Sequence, residues 1–181
     1  CRKINKNIEY MNWEDECYIW TKRKVRENEN IINVYSKNRG KVSGVVYGGN
    51  SRKIKNYLQI SNKLYINQNA KNENRLGYFK TELVKPISPL YFNDKERSSA
   101  LLSISSILNM LLPDSQPNQS IYKSFEEFVN SINFYNWVIL YIFLELNLIK
   151  DLGYDPNLNQ FKKNKLENDV QKIKIDTFTY N

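Results

Sequence analysis

Hydrophobic and polar positions change their spacing once along this chain. Residues 17–24 (CYIWTKRK), 31–37 (IINVYSK), 41–47 (KVSGVVY), 63–68 (KLYINQ) and 76–84 (LGYFKTELV) are short, rich in β-branched and aromatic residues, and partly alternating. Clusters of Gly, Asn and charged residues separate them. Such runs predict strands. Five of them within residues 11–86 predict a small barrel, for which a five-stranded OB type is the economical arrangement. Pro86-Ile87-Ser88-Pro89 breaks the pattern and reads as a linker.

Beyond the linker the period lengthens. Residues 98–112 place Leu101, Ile104, Leu108 and Leu111 at helical spacing. Pro113 and Pro117 bound a loop, and residues 118–132 and 135–152 predict two further helices, the last closed by Gly153. That last helix is apolar on nearly every face, so it is expected to be surrounded by its neighbours. The fold class expected is α+β, an N-terminal five-stranded OB-fold barrel followed by an all-helical domain. The expected boundaries are 11–86 for the barrel and 91–155 for the helices. Residues 1–10, ahead of Met11, read as an extension or an upstream artefact without function. Residues 156–181 form a lysine-rich C-terminal segment with a β-like end at 173–180.

The most apolar window, WVILYIFL at 137–144, is eight residues long. A membrane span needs about 20. Residues 1–16 are too polar and charged for a signal peptide. A soluble, cytoplasmic protein is expected.

Composition narrows the chemistry. The chain has 181 residues, enough for one substantial domain or two small ones, and it contains no histidine. The commonest general base and the commonest metal ligand are therefore both missing. Cys1 and Cys17 have no metal-ligand spacing and suggest no disulfide framework. Asn, Lys, Ile and Tyr are abundant throughout, so a single Lys or Asn carries little weight.

The distribution of charge carries more. Residues 1–90 hold 18 Lys and Arg against 8 Asp and Glu, whereas residues 91–160 hold 4 against 8. Between Glu29 and Glu73 there is no acidic residue, yet eight Lys and Arg occur. The first half thus carries a positive field suited to a polyanion.

Within it lies GVVYGGNSRKIKNYLQ, residues 44–59. A nucleotide-binding P-loop needs its lysine directly after the last glycine. Here Asn50 and Ser51 intervene, and the nucleotide reading is set aside. Two readings remain for the stretch: a loop with solvated charges, or a basic strand-loop that tracks phosphates. Lys37, Arg39, Lys41, Arg52, Lys53 and Lys55, interleaved with Tyr35, Tyr47 and Tyr57, suit the second. Cations neutralise phosphates, rings stack on bases, and Gly48 and Gly49 allow close approach of the backbone. Lys22, Arg23 and Lys24, with Arg26, form a second basic cluster, equally readable as a charged strand edge that discourages pairing. Glu126 and Glu127 read as ordinary solvent-facing helix charges. Asp15 and Glu16 would need partners for a metal that the sequence does not supply, and no catalytic arrangement is evident.

The order of features from about Met11 to Asp155 resembles the bacterial recombination-repair family RecO. The carriers are Trp13-Glu14-Asp15-Glu16, the run from Glu27 through Ile32 and Val34, and Gly40-x-x-x-Gly44-Val45-Val46-x-Gly48-Gly49-x-Ser51-Arg52 followed by Leu58-Gln59. Leu111-Leu112-Pro113-Asp114-x-x-Pro117 with Ile121-Tyr122, and Leu144-Glu145-Leu146 leading to Leu152-Gly153-Tyr154, continue it. The resemblance implies an OB-fold followed by a helical domain, and a non-enzymatic mediator of DNA repair that needs no cofactor. It also implies binding of single- and double-stranded DNA, annealing of complementary strands, contact with the tail of single-strand-binding protein, and loading of RecA together with RecR. A cytoplasmic, nucleoid-associated location goes with these partners. Two departures stand out. Ile60-Ser61 occupies the place of a Pro-Gly-like turn, and the cysteines that some members use for zinc are missing after Tyr154, where the chain is expected to be shortened. A generic OB-fold RNA-binding module and a basic protein-interaction scaffold are the rival readings.

Overall fold

The computed structural model describes residues 12–69 and 76–154; the expectations for residues 1–10 and 156–181 lie outside them. Five strands form the first half: β1 (Trp13–Arg26), β2 (Glu29–Ser36), β3 (Gly40–Tyr47), β4 (Lys63–Asn69) and β5 (Gly77–Lys85). They close into a barrel in the order β1-β2-β3-β5-β4, and β4 pairs back onto β1. Every pair is antiparallel except β3 with β5. This is a five-stranded OB-type barrel. A short helix, α1 (Arg52–Tyr57), joins β3 to β4. A 3-10 turn (Ser88–Tyr91) then leads to α2 (Lys95–Leu111), α3 (Gln119–Ser131) and α4 (Trp137–Asp151).

β1 organises both halves. Alternation along a strand sends Cys17 and Ile19 to one face and Tyr18 and Trp20 to the other, yet all four are buried. Cys17 and Ile19 fill the barrel with Ile32, Val34, Val46, Leu64, Ile66 and Phe79. Tyr18 and Trp20 lie on the outer face with Tyr35, under Leu101, Leu108, Phe125 and Phe128 of the helices. Trp20 stacks on Tyr35, with ring centroids 4.2 Å apart. The unbroken apolar run at 17–20 is the mark of a strand covered on both faces.

Polar contacts fasten the same junction. The Tyr18 hydroxyl donates to Glu126 Oε1 (3.1 Å), and the Asn118 amide donates to the Tyr35 hydroxyl (3.0 Å). Lys63 bridges Glu16 (2.7 Å) and Glu126 (3.1 Å). Burial disfavours the Lys63 ammonium, but the hydrogen bonds to Glu16 and Glu126 outweigh it and hold the pKa above the ordinary lysine value. Glu126 is therefore no ordinary solvent-facing charge, because the barrel brings Lys63 and Tyr18 to it.

The Pro86–Pro89 stretch is a pinned corner instead of a free linker. Ile87 is buried, and Asn62 Oδ1 accepts from the amides of Ile87 (2.7 Å) and Ser88 (3.0 Å). α4 also departs from expectation. Leu144 and Leu148 are buried, but Val138, Ile142 and Ile149 are exposed. The helix sits at the rim of its layer, and no described residue covers that side.

Two backbone positions explain parts of the sequence pattern. Gly40 has φ +70°, and the carbonyl of Gln116 stands where its Cβ would be. The barrel and the loop between α2 and α3 thus meet backbone to backbone. Ser61, in place of a Pro-Gly-like turn, adopts φ +68°, a conformation that glycine takes freely. It is buried there, its amide donates to Ile19 O (2.7 Å), and its hydroxyl lies 3.1 Å from that of Ser105. The turn keeps a glycine's shape while its side chain joins the helices.

Candidate nucleic-acid interface

The basic residues that run continuously in sequence separate in space. β2 and β3 form a hairpin in which Ser36 faces Gly40 at the turn and Glu29 faces Tyr47 at the open end. Seven residue steps at ~3.3 Å each put those ends about 23 Å apart. Lys37, Arg39 and Lys41 lie at the turn. Tyr47, Gly48, Gly49 and α1 lie at the far end, together with Lys22, Arg23 and Lys24, since Lys24 pairs with Asn30 and Arg26 with Glu29.

Two of the three cations at the turn, Arg39 and Lys41, are engaged in structure. Lys41 Nζ donates to Asn109 O (2.8 Å), pairs with Asp114 (3.2 Å) and is largely buried. The Arg39 guanidinium lies over the Trp13 ring, 5.3 Å from its centroid. Lys37 is exposed, while its carbonyl accepts from Gln119 (2.7 Å). Nearby, the Asp15 carboxylate accepts from the Ser36 hydroxyl and from Asn38, and Glu16 is held by Lys63. Among the described residues no group of three or more acidic or cysteine side chains is placed to hold a metal. The Cys17 thiol is buried, and burial raises its pKa well above the usual value, so it stays a thiol.

The opposite end is open. Arg52, Lys53 and Lys55 are exposed, but on a helix where a loop was expected; Ser51 caps it by accepting from the Ile54 amide (3.4 Å). Ile54 and Tyr57 pack against the barrel core, leaving the cations outside. Tyr57 is thereby removed as a stacking surface, because its hydroxyl donates to Thr81 O (2.8 Å) and its ring is half-buried. Gly48 supplies the turn before the helix, with φ +65°, its amide donating to Asn28 O (2.7 Å) and its carbonyl accepting from Ser51 (2.8 Å). Gly49 is buried against Asn30, whose amide nitrogen stands where a Cβ would be. The two glycines serve the turn and the packing of Asn30, not an open approach for a ligand.

Lys22 Nζ donates to Leu58 O (3.0 Å) at the C-terminus of α1. Burial, and then the neighbouring Lys55 charge, lower its pKa. Arg23 and Lys24 are exposed. Among the described residues none of Lys22, Arg23, Lys24, Arg52, Lys53 and Lys55 has a carboxylate partner, whereas Arg26 pairs with Glu29 (3.7 Å). Tyr47 is exposed at the same end and stacks on Tyr78 of β5, with centroids 4.7 Å apart and planes 16° from parallel. Sequence reading missed Tyr78. Its alternation with buried Phe79 points it outward, but its approach to Tyr47 depends on the parallel β3–β5 pairing that sets Val45 beside Tyr78. Six cations with no carboxylate partner among the described residues and a stacked tyrosine pair therefore share one end of the barrel.

Known proteins resemble the chain over nearly all the described residues. Residues 11–87 match the family described as recombination protein O N terminal, and residues 93–165 match recombination protein O C terminal. The DNA repair protein RecO of Wolbachia sp. subsp. Drosophila simulans is 33% identical over 169 residues, covering 92% of this chain and 70% of the relative. That of Ehrlichia chaffeensis is 29% identical over 92% of this chain and 68% of its own length, and that of a Ruegeria species 26% over 92% and 70%. With both halves matched in order and the barrel followed by helices, the chain belongs to the recombination protein O (RecO) family of DNA repair proteins.

Proposed function

We propose that the chain acts by binding and not by catalysis, holding the nucleic-acid backbone at the open end of its barrel. The supporting observation is the set of six cations, without carboxylate partners among the described residues, beside the Tyr47–Tyr78 stack. Ammonium and guanidinium groups there neutralise phosphates without reading sequence, and an exposed ring pair offers a face to unstacked bases. Single-stranded DNA suits such a surface best, and double-stranded DNA binds through the phosphate contacts alone. A cation-coated strand repels its complement less, which favours annealing. Within the family this fits a mediator that works with RecR and single-strand-binding protein to place RecA on gapped DNA in the cytoplasm. No helix among the described residues is long and apolar enough to cross a membrane.

Strand annealing is the test. The purified chain should shift single-stranded DNA in a gel titration and accelerate pairing of complementary strands, and RecR should alter the complex. Tight RNA binding with no acceleration of DNA annealing would favour an RNA-binding module instead.

A further inference from the structure

A concavity of about 500 Å³ opens between the second half of β1 and the C-terminal end of α1. Its size lies in the range of small-ligand pockets, about 300–1,000 Å³. Lys22, Lys24 and Lys55 line it, with Asn30, Asn50, Gln59 and Ile60. No carboxylate is among these residues. Lys22 and Lys24, two apart on one strand, share a face, and Lys55 reaches the same space from the helix. The Lys22 ammonium is fixed on Leu58 O and partly withdrawn from water. Asn30 is fully buried; its Nδ2 donates to Asn50 Oδ1 (3.2 Å), while its Oδ1 has no partner among the described residues. Three cations line one hollow with no carboxylate in its lining, and they repel one another at a cost that a bound anion removes.

We infer that this hollow takes the terminal phosphate of a nucleic-acid strand, held jointly by Lys22, Lys24 and Lys55. The inference rests on the nucleic-acid reading above and adds an end-recognition subsite to it. A phosphodiester carries one negative charge, whereas a phosphate monoester carries ≈ −1.5 to −2 at pH 7 and three acceptor oxygens. Three ammonium groups on one hollow match the second. Arg52 and Lys53, exposed on α1 and absent from the lining, are left for internal phosphates along the strand.

The test is competition binding by the full chain at fixed salt. One oligonucleotide sequence is used with a 5′-phosphate, with a 3′-phosphate, or with hydroxyls at both ends. One phosphorylated form should bind about fivefold more tightly than the hydroxyl form, the scale of an added charge-assisted contact. Lys24→Gln and Lys55→Gln, both at exposed side chains, should each erase that preference. Arg52→Gln with Lys53→Gln should weaken all three strands alike and preserve it. Equal binding of the three strands by the unaltered protein overturns the end subsite while leaving nucleic-acid binding intact. A preference that survives in the Lys24 and Lys55 variants overturns it too. Failure to bind any strand removes the underlying reading as well.

Discussion

Replacing Arg52, Lys53 and Lys55 together by Ala should weaken single-stranded DNA binding by about 100-fold at 0.1 M salt, because each contact adds ~0.7 to the slope of log K against log[salt] and ~0.1 M lies about one decade below ~1 M. The slope of log K against log[salt] should become shallower by about 2 to 3 units for the same reason. The loss should be nearly equal for every sequence, since phosphate contacts carry no base information. Stability should stay within about 0.5 kcal/mol. All three side chains are exposed, none bears a carboxylate partner among the described residues, and Ala is compatible with the helix that Ser51 caps. Lys41→Ala supplies the contrast. It strips Asn109 O and Asp114 of their largely buried partner, so it should lower stability and leave the salt slope unchanged. A triple variant that folds normally and binds with unchanged affinity and slope would refute this assignment.

Trp20→Ala should lower stability by about 3–5 kcal/mol, the usual cost of deleting a buried aromatic side chain. Trp20 is fully buried, stacked on Tyr35 and edge-on to Phe125 at 6.1 Å, so the cavity would open between barrel and helices. The two halves should still unfold in one transition, because Tyr18 and Tyr35 lie under the same helices and Gly40 abuts the Gln116 backbone. Trp20→Phe should cost much less. It keeps most of the ring contact and removes a buried indole N–H that has no partner among the described residues. Thermal or urea unfolding followed by circular dichroism reads both variants. Two separate transitions, or a Trp20→Ala variant as stable as the wild type, would contradict the shared core. By the same reasoning, a fragment ending at residue 86 exposes Tyr18, Trp20 and Tyr35, so charge substitutions in the whole chain locate the binding surface more cleanly than truncation does.

The barrel and the three long helices were legible because their signals are local. Alternation marked each strand to within a few residues, and the 3.6-residue period marked Leu101, Ile104 and Leu108 as a buried stripe. β1 runs longer than the apolar segment suggested, from Trp13 to Arg26, because β4 pairs with its start and β2 with its end. α1 was not legible. Six residues with only Ile54 and Tyr57 as apolar anchors carry no periodic signal, and a helix that short stands on the barrel it packs against.

The candidate site was legible in kind but not in arrangement. Charge counting identified the basic half, and the resemblance supplied the family. The acid-free run looks like one surface in sequence, yet the β2–β3 hairpin carries Lys37, Arg39 and Lys41 to one end and α1 to the other. Lys41 and Tyr57 proved to be structural through partners far along the chain, Asn109 and Thr81. Lys24 and Tyr78 gained their places from the pairing of strands. Long-range pairing of this sort leaves no mark on local composition.

The salt dependence of single-stranded DNA binding by the unaltered chain tests the central claim most directly. Lys22, Arg23, Lys24, Arg52, Lys53 and Lys55 gather at one end without carboxylate partners among the described residues. On a strand with hydroxyl ends, where all six face internal phosphates, six contacts at ~0.7 each give a slope of log K against log[salt] of roughly −4. A slope near that value is the result the account predicts, and an affinity that barely changes between low and physiological salt would contradict it.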